Sequence, residues 1–164
     1  IAQPLYNLVM RMAENDYLPA CAHYGIGVAP FSPLARGALT GKYIKGESLP
    51  AHSRAARGDK SILTRDFSPQ VFDVVDAIKQ YCIKRGIKVS EFAILWVLNC
   101  STVSSVIAGP RTFDQWKSYI DALQHEFTKK DEEFATSLVA PGHPATPGLV
   151  WQRHPPLGRC AKVY

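Results

Sequence analysis

Two short stretches of this chain carry residue types suited to holding a phosphorylated ligand. The first is Phe31-Ser32-Pro33-Leu34-Ala35-Arg36-Gly37-Ala38-Leu39-Thr40-Gly41-Lys42-Tyr43. Gly37 and Gly41 let the backbone approach a ligand closely, and Arg36 and Lys42 supply positive charge, a combination that suits a diphosphate. The pattern is not a Walker A loop: three residues separate Gly37 from Gly41-Lys42, and Tyr43 stands where Ser or Thr is required. The second stretch, Gly109-Pro110-Arg111-Thr112, leads into a predicted helix whose free amides and dipole favour an anion. Arg111 adds a planar phosphate fork, and Gln115 sits one turn further on, in reach of an adenine or ribose. Taken singly, each stretch also reads as an ordinary surface loop or helix cap. Two anion-friendly turns after two predicted strands make that plainer reading weaker.

Acid–base and metal chemistry find no comparable footing. None of His23, His52, His125, His143 or His154 follows a predicted strand with a Tyr and a Lys at hand, and His52 reads as a loop residue. The four cysteines, Cys21, Cys82, Cys100 and Cys160, are far apart, and Cys21-Ala22-His23 stands alone. A structural zinc needs closely spaced ligand pairs, so reduced, mostly buried thiols of a cytoplasmic protein are expected, and no metal.

Composition frames these stretches. The 164 residues are 46% hydrophobic and 20% charged, as in one globular domain or a large piece of one rather than a disordered chain. No apolar window is long enough to span a membrane. The net charge of +5 suits an anionic partner, but the basic residues are spread singly, which argues against nucleic acid. The opening Ile1-Ala2-Gln3 has no signal-peptide character and reads as an interior point of a longer protein.

The elements that must position the two turns follow from periodicity. Residues 1–10 read as a strand end entering a loop at Pro4, and 17–24 as a short helix closed by Gly25. The apolar run 26–31 has strand length; the segment from Ser32-Pro33 to Asp66 is a long loop, of a size that is usually functional. Ser68 and Pro69 open a helix with Val71, Val74, Val75, Ile78 and Cys82 on one face, stopped by Gly86. Ser90 is expected to cap a deeply buried helix over 91–99, and 102–108 reads as a β-branched strand. Thr112 and Gln115 form a capping box for a helix carrying Phe113, Trp116, Ile120 and Leu123 on one side. Thr128 opens a last helix with Phe134 and Leu138, and residues 141–164 form an irregular proline-rich tail. Alternating strands and helices predict an α/β fold with parallel pairing. Two or three strands buried on both faces cannot cover their own edges, so the chain is expected to be part of a larger α/β protein.

Gln3 to Tyr6, the segment from Phe31 to Tyr43, Ser53-Arg54, and Val106-Ile107-Ala108-Gly109-Pro110-Arg111-Thr112-Phe113-Asp114-Gln115 together resemble the aldo-keto reductases, in collinear order over nearly the whole chain. The bacterial and potassium-channel β-subunit-like branches are the most similar. The resemblance implies an α/β fold, the C-terminal part of a (β/α)8 TIM barrel: strands six to eight with their helices, the N-terminal strands being absent. It implies a single partial domain over 1–164, with 141–164 as its tail.

The same resemblance implies a site. Gln3 would bond the nicotinamide carboxamide, and Phe31 would stack on the nicotinamide ring. Ser32, Pro33, Leu34, Ala35, Arg36 and Lys42 would hold the diphosphate, with Arg54 closing over it. Gly109, Arg111, Thr112 and Gln115 would bind the adenosine 2′-phosphate end, making NADPH the cofactor. Family members often carry Glu and Asn where this chain has Ser118 and Tyr119. The catalytic Asp, Tyr, Lys and His of the family lie on earlier strands, so no catalytic residue is expected here; Tyr6 does not hold the catalytic motif position. The implied function is NADPH-dependent reduction of a small aldehyde or ketone, with this chain supplying the cofactor half beside the missing N-terminal half or a swapped copy. A regulatory NADP(H)-binding module of the channel β-subunit type, or an inactive fragment, are the alternatives. Trp151 in the tail is a candidate substrate contact.

Overall fold

In the computed structural model, residues 1–58, 62 and 66–149 are described. Trp151, His154 and Cys160, with most of the tail, lie outside them.

Three extended segments lie side by side and parallel. Ala2 pairs with Val28 and Leu5 with Phe31; on the other side of the middle segment, Val28 pairs with Val103 and Phe31 with Ile107. The pairings are isolated bridges, not the continuous strands expected, and two features of the sequence explain it. Pro4 and Pro30 have no N–H to donate, so neither ladder runs unbroken. Between the middle and third segments the register also slips by one residue. The amides of Ser104 and Ser105 both donate to the Val28 carbonyl, at 2.8 and 3.3 Å, which is a β-bulge.

Among the described residues, the α-helices around these segments are α1 (Tyr17–His23), α2 (Pro69–Arg85), α3 (Val89–Leu98), α4 (Phe113–Asp121) and α5 (Lys129–Leu138). The local signals for α2 hold throughout. Ser68 Oγ accepts from the Val71 amide at 3.2 Å, Pro69 opens the first turn, and Gly86 ends the helix at φ +67°. All five residues of its apolar stripe are buried. Helix α3 is apolar nearly all round and buried along its length, as expected for the centre of the core.

Two expected caps are placed differently. Helix α3 starts two residues earlier than Ser90 implies: Lys88 is its cap residue, and Glu91 folds back to accept from the Lys88 amide at 3.0 Å. At α4, Thr112 Oγ1 accepts from the Gln115 amide at 3.3 Å, but Gln115 Oε1 takes the Arg111 amide at 2.7 Å in place of that of Thr112.

The larger difference concerns burial. The third segment was expected to be covered on both faces, yet Ser104, Ser105 and Ile107 are exposed. The apolar side of α4 is open too, with Phe113 73% and Trp116 50% exposed and their rings stacked 5.9 Å apart. Nothing among the described residues covers them. From residue 141 the chain folds back along the first loop: Ala145 donates to Val9 at 2.9 Å, and Ser68 Oγ lies 2.6 Å from Thr146 Oγ1.

Candidate functional site

A cleft of about 820 Å³ opens at the carboxyl ends of the middle and third segments. In parallel α/β sheets this is where ligands bind, because loops and helix N-termini converge there. The two anion-friendly turns read from the sequence form its two walls.

The first wall is strained backbone. Ser32, Ala35 and Arg36 adopt φ of +58°, +45° and +54°, a conformation that costs L residues roughly 1 kcal/mol or more each. Internal bonds hold the coil: Ala35 N to Ser32 O at 3.0 Å, Gly37 N to Leu34 O at 2.8 Å, and Thr40 Oγ1 to Gly37 O at 2.7 Å. Gly41 closes it at φ +72°, where a Cβ would meet Val89 Cγ2 at 3.1 Å; the position demands glycine on both counts. From outside, the buried Asn7 amide donates to the Ser32 carbonyl at 2.9 Å, while its Oδ1 accepts from the Val9 amide at 3.1 Å.

The second wall is the start of α4. Arg111 and Gln115 face the cleft, and Arg111 Nη1 reaches across to the His52 carbonyl at 3.1 Å. Arg36 pairs with Asp66 at 2.8 Å, so the long loop is anchored to both walls.

Of the expected site residues, the fold brings Phe31, Ser32, Pro33, Leu34, Arg36, Lys42, Arg54, Gly109, Arg111 and Gln115 to this one cleft. Three do not line it. Ala35 is buried beneath the coil, Thr112 is occupied as the cap of α4, and Gln3 is exposed on the first segment. Arg57, Lys88 and Asn7 were not foreseen. Arg57 and Lys88 join the lining. Only the long loop and α3, packed against their neighbours, bring them there. Asn7 signals itself weakly, as a polar residue inside an apolar run.

Among the described residues the lining holds six cations, Arg36, Lys42, Arg54, Arg57, Lys88 and Arg111, against one carboxylate, Asp114. Such a concave, one-signed surface concentrates anions. Glu91, beneath Lys88, stays ionised. Burial alone would raise its pKa, but bonds from the Lys88 backbone and ammonium and from Ser118 outweigh that and hold it below the usual carboxylate range.

The family profile described as the aldo/keto reductase family matches residues 1–138. A probable voltage-gated potassium channel subunit beta from Oryza sativa subsp. japonica is 37% identical over 125 residues, covering 75% of this chain and 38% of that protein. L-glyceraldehyde 3-phosphate reductase from Escherichia coli (strain K12) is 30% identical over 149 residues, covering 87% and 42%. The solved structure of a glycerol dehydrogenase from Gluconobacter oxydans superposes with a TM-score of 0.68 at 25% identity, over 90% of this chain and 45% of that one.

This chain belongs to the aldo/keto reductase family.

It spans about two fifths of the length of the curated relatives it matches. The parallel segments and their helices accordingly have the aldo/keto reductase fold.

No proton donor faces the cleft of this aldo/keto reductase chain from the first loop. Tyr6 is buried in a separate cavity and donates to Glu14 Oε1 at 2.7 Å. Burial, then the Glu14 hydrogen bond and charge, push its pKa far above the ordinary phenol value. His52 contributes its backbone carbonyl to Arg111, and His125 lies 3.7 Å from Glu91. Cys21 and Cys82 are buried free thiols, and burial pushes Cys82 up to about 12, so it is no nucleophile near neutral pH. Among the described residues no group of three or more His, Cys, Asp or Glu is placed to hold a metal, and no helix is long and apolar enough to cross a membrane.

Proposed function

We propose that the cleft binds NADPH and that this chain is the cofactor-holding half of a barrel that reduces small aldehydes or ketones. One observation carries the reading: among the described residues, six cations and a single carboxylate line one cleft at the carboxyl ends of two adjacent parallel segments. The donor set fits a phosphorylated dinucleotide. Arg36, Lys42 and Arg54, with the strained Ser32–Arg36 backbone, take the diphosphate, and Arg111 and Gln115 take the ribose 2′-phosphate end. Phe31 flanks the nicotinamide. When bound, the cofactor supplies a hydride to the carbonyl carbon. The proton for the developing alkoxide comes from a Tyr on the complementary part of the barrel, which also carries the Lys, Asp and His that tune it. The residues of this chain orient the cofactor and keep water from it.

A second reading has its own support in the channel β-subunit relative, 37% identical. In it the same site binds NADP(H) and reports redox state to a partner. Turnover separates the two: the complemented protein binding NADPH without reducing any aldehyde favours the regulatory module.

Binding itself is tested by titrating the protein with NADPH and following nicotinamide fluorescence. Enhanced emission that saturates is the expected result; unchanged emission at millimolar ligand sinks the proposal. Arg111→Ala should weaken NADPH at least about tenfold, the usual worth of a hydrogen bond to a charged group, while NADH changes less than about twofold.

A further inference from the structure

Lys88, the cap residue of α3, carries a cation of the cleft on a side chain that is 66% exposed, and two contacts direct its ammonium. It lies 3.0 Å from Glu91 Oε1 and donates to Ser118 Oγ at 3.3 Å. Ser118 in turn donates to Glu91 Oε1 at 2.9 Å, which commits its hydroxyl in both directions. Glu91 Oε2 accepts from the Lys88 amide at 3.0 Å. An ammonium has three N–H donors, so one is left for a ligand in the cleft. The carboxylate that holds it is 3% exposed, so what the ligand meets is a positioned donor, not an acceptor.

The neighbouring groups have the same polarity. Gln115 Oε1 accepts from the Arg111 amide at 2.7 Å, so the NH₂ donors are what this side chain keeps for a ligand. The size of Ser118 matters as well, because an acidic side chain there would press a second carboxylate against Glu91. Tyr119, beside it in the lining, offers an aromatic edge or face. This end of the cleft therefore presents donors and an aromatic ring, with Asp114 as the sole carboxylate among the described lining residues.

Building on the dinucleotide reading above, we propose that Lys88, held by Glu91 and Ser118, is a specificity-determining residue that donates a hydrogen bond to the acceptor edge of the purine base. The one remaining N–H is shared between O6 and N7 of a 6-oxopurine; from adenine, whose exocyclic amine is itself a donor, it gains N7 alone. The site consequently tolerates replacement of that amine by a carbonyl.

The test compares binding of NADPH and its hypoxanthine analogue by nicotinamide fluorescence in the full chain, its Lys88→Met variant and its Lys88→Arg variant. Circular dichroism serves as the folding control. The analogue should bind the unsubstituted protein at least as tightly as NADPH. Lys88→Met should weaken the analogue about tenfold more than NADPH, and Lys88→Arg, which keeps the donor, should retain the original ratio. Rejection of the analogue by tenfold, or a ratio unchanged in Lys88→Met, overturns this inference while leaving NADPH binding intact. Failure of the unsubstituted protein to bind either dinucleotide overturns the proposed function itself.

Discussion

Asn7 never faces the cleft, yet it holds the coil that does. Its amide bridges the first loop to the Ser32 carbonyl, where the backbone enters three residues of positive φ that are not glycine. Such strain persists only when surrounding bonds over-determine it. Asn7→Ala leaves the buried Val9 amide without its partner, removes one of the two hydrogen bonds to the Ser32 carbonyl, and should cost about 2 kcal/mol. The check is a lowered urea midpoint at unchanged slope, accompanied by weaker NADPH binding. Arg36, Lys42, Arg111 and Gln115 were legible in the sequence because their residue types and glycine spacing announce anion binding. Asn7 was not, because an Asn in an apolar run says nothing about which carbonyl it will meet.

Elements are tied together by buried carboxylates. Asp131, in the first turn of α5, accepts from Thr128 at the cap, from Tyr81 at 2.8 Å, and from Arg85 at 2.7 Å, the last two on α2. Burial raises its pKa, but the Thr128 and Tyr81 hydrogen bonds and the Arg85 charge outweigh that, and the net shift is downward. A depressed folded-state pKa gives stability that is fully present above the unfolded aspartate value and lost as pH falls through the folded one. Unfolding stability should therefore be flat near neutrality and fall as pH drops from about 5 through about 4, where unfolded aspartate is half protonated. Asp131→Asn should cost about 3 kcal/mol at pH 7, since it leaves Arg85 without its buried partner, and should shrink that acid dependence. Denaturant midpoints measured from pH 7 down to pH 3 check both. The capping residues of α2 and α5 were readable because Ser68 and Thr128 act on their own turn. The start of α3 was missed because Glu91 caps it backwards onto Lys88.

At the scale of the molecule, the exposed apolar side of α4 and the open edge of the third segment lie next to each other in sequence and in space. Phe113, Trp116, Ile120, Leu123 and Ile107 are each more than two fifths exposed. An uncovered edge beside an uncovered apolar helix invites association. The proposed occupant is the complementary part of an aldo/keto reductase barrel, because the related dehydrogenase matches this chain over only 45% of its own length. In size-exclusion chromatography the chain alone should self-associate and bind a hydrophobic dye. Co-expressed with a polypeptide carrying the other barrel strands, it should elute as a compact one-to-one complex. A compact, dye-silent monomer of the chain alone contradicts this. Trp116→Lys should reduce self-association without altering helix content.

Residue chemistry and periodicity by themselves determined the helices, the parallel order of three segments and the two cation-bearing turns. Each of these rests on contacts within one element or on the handedness of a βαβ unit. The tertiary structure decided which residues share the cleft. It added Arg57 and Lys88 from elsewhere in the chain, left Gln3 outside, and interrupted the strands at Pro4, Pro30 and the Ser104–Ser105 bulge. The physical reason is range. A cap or an apolar stripe is fixed within a turn or two of chain, whereas a cleft is fixed by where separate elements meet, which no local spacing encodes.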